Sequence, residues 1–166
     1  MQEFIKNLLA TSVLALAVSA AQAATDAEAI LQQRATQPDR SGKKRIGIAS
    51  YYHAMFNGRK MADGNRFDPD GINAASKSLP LGTLARVTNL ETNQSALVRI
   101  QDRGPYVDGR IIDLSPRIAQ VIGITHKGLA KVAVTPIAVP MPDGTLRFGE
   151  AGRSEGAQGT TTPNAS

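Results

Sequence analysis

Beyond Lys44 the chain alternates short apolar runs with polar punctuation. Arg45–Tyr52, Thr83–Thr88, Ala96–Gln101, Arg110–Leu114 and Leu129–Val139 are rich in β-branched residues, and Asn, Gly and Pro separate most of them. Runs of this length and composition predict strands. One helical period interrupts them. Ser115 is placed as N-cap and Pro116 at the first helical position, with Ile118, Val121 and Ile122 on one face and Gly123 at the end. Many short strands with one helix predict a mainly β fold, a small barrel or sandwich, because a sheet of this size must close or be covered to hide its edges. There is no internal repeat and no coiled-coil heptad.

The flanks differ from this centre. Lys6, an apolar run from Leu8 to Val18 and the small-x-small site Ala21-Gln22-Ala23 read as a signal peptide over residues 1–23. Its apolar run is too short for a comfortable membrane span. Residues 24–44 are assigned to a short helix, opened by the capping box Thr25-Asp26-Ala27-Glu28 and running to about Arg34, and a linker from Gln37 to Lys44. The folded domain is placed at 45–140. Residues 141–166 are assigned to a flexible tail, since Gly149–Ser166 is rich in Gly, Thr, Ser and Ala.

Composition narrows the chemistry. The 166 residues have room for one domain, and with Trp absent its core must come from Ile, Leu, Val and Ala. With no Cys there is no disulfide, no thiolate nucleophile and no lipid anchor at a processed N-terminal Cys. The reading is a soluble periplasmic protein that is not a lipoprotein. A formal net charge of +5 draws the chain toward polyanions such as acidic wall polymer, lipid headgroups or nucleic acid, or serves solubility alone. His53 and His126 are the only histidines and show no zinc spacing, so no metal is expected. No phosphate-cradling loop or dinucleotide fingerprint is present, and no cofactor or nucleotide is expected. No nucleophile elbow surrounds Ser50, Ser76 or Ser78. Tyr51, Tyr52 and Phe67 suit stacking on sugar faces as well as on bases.

Two segments, Gly47–Asp68 and Gln101–Ser115, are denser in special residues than a scaffold needs. The first is a long, Gly-punctuated stretch of the kind that carries function. The second sets Asp102 and Asp113 at the ends of consecutive strands. If the two converge in a groove, burial and mutual repulsion keep a proton on one of them for general acid catalysis. The alternative is an internal ion pair of Asp102 with Arg103 or Arg110, or Asp113 capping the strand-to-helix turn.

These blocks, with Gly47-Ile48-Ala49-Ser50-Tyr51-Tyr52, Leu79-Pro80-Leu81-Gly82-Thr83, Val87-Thr88-Asn89-Leu90, Asp102-Arg103-Gly104-Pro105 and Gly109-Arg110-Ile111-Ile112-Asp113-Leu114-Ser115 in order, resemble the rare lipoprotein A family. The resemblance covers roughly 95 residues, Arg45 to about Val139. It implies a six-stranded double-psi β-barrel and a septal lytic transglycosylase acting on peptidoglycan strands that lack stem peptides, leaving 1,6-anhydro-muramic ends. It implies Asp102 as the catalytic acid with Asp113 second, and Tyr52, Asn65, Asp68, Ser76, Arg103 and Arg110 as substrate-binding residues. Two positions depart from the family pattern. Asn65 stands where Glu is usual, and Ser76 where His is usual. The departures keep open a non-catalytic glycan-binding or wall-loosening barrel, and export keeps open an accessory of envelope or division machinery. Glycan strands are the expected partner, with no nucleic acid.

Overall fold

A computed structural model describes residues 28–29, 37–124 and 127–158. The chain forms two compact units, Met1–Gln37 and Pro38–Ser166. In the first, Glu28 and Ala29 are helical; the rest of the capped helix and the signal-peptide reading lie outside the described residues. His126 does too.

The second unit is mainly β. Its strands are β1 (Arg45–Tyr51), β2 (Asn73–Ala75), β3 (Leu84–Asn89), β4 (Ser95–Asp102), β5 (Arg110–Leu114), β6 (Ala130–Pro140) and β7 (Leu146–Phe148). Its helices are α1 (Pro116–Val121) and α2 (Glu150–Gln158). The strand order is β1-β5-β2-β4-β3-β6, and β6 pairs back onto β1 to close a six-stranded double-psi barrel, with β7 added beyond β6. β1 runs parallel to β5 and β2 parallel to β4, while every other neighbour is antiparallel. The eleven-residue β6 makes closure work: its first half pairs with β1, and a longer overlapping stretch pairs with β3. No long edge of this barrel is left open.

Alternation fills the interior. Along β3, Ala85, Val87 and Asn89 point inward, and along β4 Val98 and Ile100 do. They meet Ala49, Ala74, Ile112, Leu114, Val132 and Val134 in one core. This is the aliphatic core that the shortage of aromatics demands.

Helix α1 closes one end. Ser115 caps it by accepting from the Ile118 amide, and its hydroxyl donates to the Gly71 carbonyl at 2.6 Å. Ile118, Ala119 and Ile122 are buried, whereas Val121, expected on the apolar face, is exposed. Ala119 takes its place because the six-residue helix presents only one turn to the core.

The larger correction concerns residues 141–158, assigned above to a flexible tail. They form a turn, strand β7 and helix α2 against the barrel. The small residues read as disorder serve close approach instead. A Cβ on Gly149 would stand 2.2 Å from the Pro136 carbonyl oxygen, and one on Gly152 2.4 Å from that of Ile137. The linker is tied down by the same segment: Glu150 donates its amide to the Gly42 carbonyl, and Arg147 reaches the Arg40 carbonyl at 3.0 Å. Gly149→Ala therefore forces α2 off β6. About 2 kcal/mol of stability is lost, as in an overpacked core, seen as a melting temperature lower by several degrees. A melt unchanged from wild type would show that α2 is not held there.

Candidate active site

Register builds the site. Ser50 of β1 pairs with Asp113 of β5, Asp113 with Ala75 of β2, and Ala75 with Asp102 of β4. Residues in register share a face, so the two aspartates flank a single small residue, their backbones two strand spacings or roughly 10 Å apart. A methyl group between them leaves space over the row. Neither a hydrophobic period nor a motif reveals this, because β2 contributes only Asn73-Ala74-Ala75.

The two carboxylates are held differently. Asp102 Oδ1 accepts the backbone amides of Ala62 and Arg103, at 3.0 and 2.9 Å, and Oδ2 accepts the Tyr52 hydroxyl at 2.9 Å. With two acceptor positions per oxygen, Oδ2 keeps one for a ligand. Asp113 Oδ1 accepts the Ser50 hydroxyl at 2.5 Å, and Oδ2 pairs with Arg110 at 3.2 Å. Neither ion pair expected of Asp102 forms: Arg110 pairs with Asp113, and Arg103 donates to backbone carbonyls. Asp102 has no guanidinium partner among the described residues.

Tyr52 connects the two. Burial, then its hydrogen bond to Asp102 and the negative charges of Asp102 and Asp113, hold the phenol above its ordinary range, so it stays protonated and donates. Its ring packs on Phe67 at 4.6 Å between centroids and edge-on against Phe56 at 5.4 Å. Phe67 is buried beneath it and is no sugar platform.

The long Gly47–Asp68 stretch becomes a flap. After β1 a 3₁₀ turn, Ala54–Phe56, leads into a small hairpin in which Lys60 bridges Arg66. Its tip is pinned to β4: the Asp63 amide donates to the Gln101 carbonyl and the Ala62 amide to Asp102. A cleft of about 150 Å³ opens between flap and barrel, lined by Tyr52, Phe56, Arg59, Lys60, Met61, Phe67 and Asp102. Sequence reasoning marked the stretch but not Phe56, Arg59, Lys60 or Met61 as its walls. Gly58, at φ 73°, next to Arg59 was the visible turn signal.

The other candidates have structural partners. Asn65 donates its side-chain amide to Asp63 at 2.9 Å, and Gln101 donates to the same Asp63 oxygen at 2.9 Å. Burial works to raise the Asp63 carboxyl, but the hydrogen bonds from Asn65 and Gln101 outweigh it and hold it below the ordinary carboxylate range. Asp68 caps its own turn by accepting the Asp70 amide. Ser76 is buried, and its hydroxyl accepts the Leu79 amide. Arg103 donates to the carbonyls of Ser76 and Leu79, at 3.0 and 2.8 Å, clamping that loop to the end of β4. His53 is exposed. Among the described residues no three His, Asp or Glu side chains gather as a metal site.

The depressed Asp63 value has a stability consequence. Its contribution is present above the unfolded-state pKa, about 4, and is lost as the pH falls through the lower folded-state value. Wild type thus melts above Asp63→Asn at neutral pH, and the two curves converge in acid. Parallel curves from pH 7 to 2 would show that the Asp63 charge does not hold the flap tip.

The arrangement therefore offers one carboxyl open to a ligand, beside a half-aromatic cleft with cationic walls, and a second carboxyl occupied by an ion pair. A family model described as lytic transglycolase matches residues 44–134. The "Probable endolytic peptidoglycan transglycosylase RlpA" of Synechocystis sp. is 50% identical over 93 residues, covering 55% of this chain and 29% of that protein. The "Endolytic peptidoglycan transglycosylase RlpA" of Pasteurella multocida is 48% identical over 99 residues, 60% of this chain and 34% of the relative. That of Haemophilus influenzae is 45% identical over 93 residues, 56% and 32%. The chain thus spans about a third of the length of these relatives.

Proposed function

The chain belongs to the lytic transglycolase family of RlpA-type proteins, and on that premise we propose that it cleaves peptidoglycan glycan strands lacking stem peptides, with Asp102 as the acid. The observation that carries this reading is the open position on Asp102 Oδ2 at the cleft. Protonated there, Asp102 gives its proton to the glycosidic oxygen as the bond to the muramic anomeric carbon breaks. The muramic 6-hydroxyl then closes on that carbon, and the Asp102 carboxylate takes its proton. Acid is regenerated, no water is consumed, and a 1,6-anhydro end is left, so one carboxyl performs both transfers. This differs from hydrolysis by two carboxylates. Tyr52 and the backbone amides of Ala62 and Arg103 are the positioning groups. Asp113 assists through the field of its charge on the developing oxocarbenium ion, and Arg59 and Lys60 line the strand's path.

Asn65 and Ser76 favour a second reading, a barrel that binds wall glycan without cutting it. An amide tied to Asp63 and a hydroxyl buried under Leu79 supply neither proton nor base. The two separate on incubating the mature protein with intact and stem-stripped peptidoglycan, followed by mass spectrometry of soluble products. Anhydro-muramic ends from the stripped strands support the enzyme. Sedimentation with the wall and no product supports the binding barrel, and failure to bind either substrate sinks both. On this reading the protein works outside the cytoplasm, in the periplasm. No helix among the described residues is long and apolar enough to cross a membrane.

A further inference from the structure

Between β4 and β5 the chain crosses the end of β2, and at the crest Tyr106 is 78% exposed. Its base is fixed: Gly104 and Pro105 are buried, and a Cβ on Gly104 would lie 3.8 Å from that of Ala75. Over the ring, 5.5 Å from its centroid, lies the Lys77 ammonium. Lys77 is exposed and has no carboxylate within ion-pair distance among the described residues. Its loop is clamped by Arg103 through the carbonyls on either side, Ser76 and Leu79, and by the Ser76 amide on the Asp102 carbonyl. Ring, cation and acid are thus held by one set of bonds.

We propose that Tyr106 and Lys77 form a sugar subsite adjoining Asp102 that takes a pyranose bearing a free carboxylate. The inference rests on the glycan groove proposed above and names the group read within it. An exposed aromatic face held on rigid backbone suits the apolar face of a sugar ring at small entropic cost. A solvent-exposed cation–π contact is weaker than a charge-assisted hydrogen bond to a carboxylate, so such a sugar draws the ammonium from the ring and takes the face it leaves. In peptidoglycan the lactyl carboxylate of muramic acid is free only where the stem peptide, which blocks it as an amide, has been removed. Lys77 therefore discriminates stripped from substituted strands.

Titration calorimetry on the full chain carrying Asp102→Asn, which leaves the ligand uncut, tests this. The probes are the stem-free tetrasaccharide of alternating N-acetylglucosamine and N-acetylmuramic acid, the same tetrasaccharide with its lactyl carboxylates converted to primary amides, and chitotetraose. Adding Lys77→Gln should weaken the first about tenfold and leave the other two within about twofold, as expected for loss of one charge-assisted hydrogen bond. Adding Tyr106→Ala should weaken all three by about fivefold or more. Lys131→Gln, an exposed cation on β6, should change none. The proposal is overturned if Lys77→Gln acts alike on all three probes, if Lys131→Gln weakens the carboxylated probe as much, or if no probe binds. Lys77-dependent binding by a wild type that releases no anhydro ends would refute the transglycosylase and leave the subsite standing. Turnover of strands without Lys77 dependence would do the reverse.

Discussion

Asp102→Asn lowers release of anhydro-muramic ends by about 10³-fold, within the range for loss of a general acid, and leaves the melting temperature nearly unchanged. The amide keeps a carbonyl oxygen for the two backbone donors, Ala62 and Arg103, that pin the flap and the end of β4. Its nitrogen faces the Tyr52 hydroxyl, which can turn from donor to acceptor, so the cleft keeps its shape. What the amide lacks is a proton to give the glycosidic oxygen. Strand binding should therefore survive while product disappears, a split readable in one sample as pelleted protein against soluble anhydro ends. Full turnover by the variant would remove Asp102 from the chemistry.

The barrel was legible where its strands are long enough to carry a pattern. The five apolar runs became β1, β3, β4, β5 and β6 with shifts of a residue or so at their ends, and Ser115-Pro116 opened α1 as expected. What escaped has physical causes. β2 is three small residues held by neighbours on both sides, with no period of its own. α2 escaped because glycines that admit close packing have the same composition as glycines in a disordered tail, and only the Pro136 and Ile137 carbonyls distinguish the cases. The site divides along the same line. Asp102 and Asp113 could be named from strand ends, but their sharing of a face across Ala75 depends on the strand order β5-β2-β4, in which the middle strand comes from earlier in the chain. Arg103 and Ser76, expected at substrate, are engaged with the 76–79 loop, a use of long-range contacts that spacing does not reveal.

Asp113→Asn is expected to do the opposite of Asp102→Asn: a large loss of stability and a smaller loss of turnover. Asp113 is only 15% exposed and its partner Arg110 26%, and the Arg110 Nε is buried without a hydrogen-bond partner. Removing the carboxylate leaves the guanidinium without the ion-pair partner it has among the described residues. The new amide can keep its oxygen on Arg110 and donate its N–H to the Ser50 hydroxyl, which can accept, so what is lost is the charge opposite the guanidinium. Breaking a fully buried pair costs about 3–5 kcal/mol, and the remaining exposure here reduces that to about 2 kcal/mol. For a domain of this size the melting temperature falls by about 8 °C. Turnover per folded molecule falls by about tenfold, because only the field of the charge is lost. The second variant Arg110→Met in the Asp113→Asn background removes the stranded cation and should recover much of the lost stability, giving a coupling energy of the order of 1–2 kcal/mol in the double-mutant cycle. If Asp113→Asn instead melts like wild type and abolishes product, Asp113 is the proton donor, and the ion pair with Arg110 must open when a glycan strand enters the cleft.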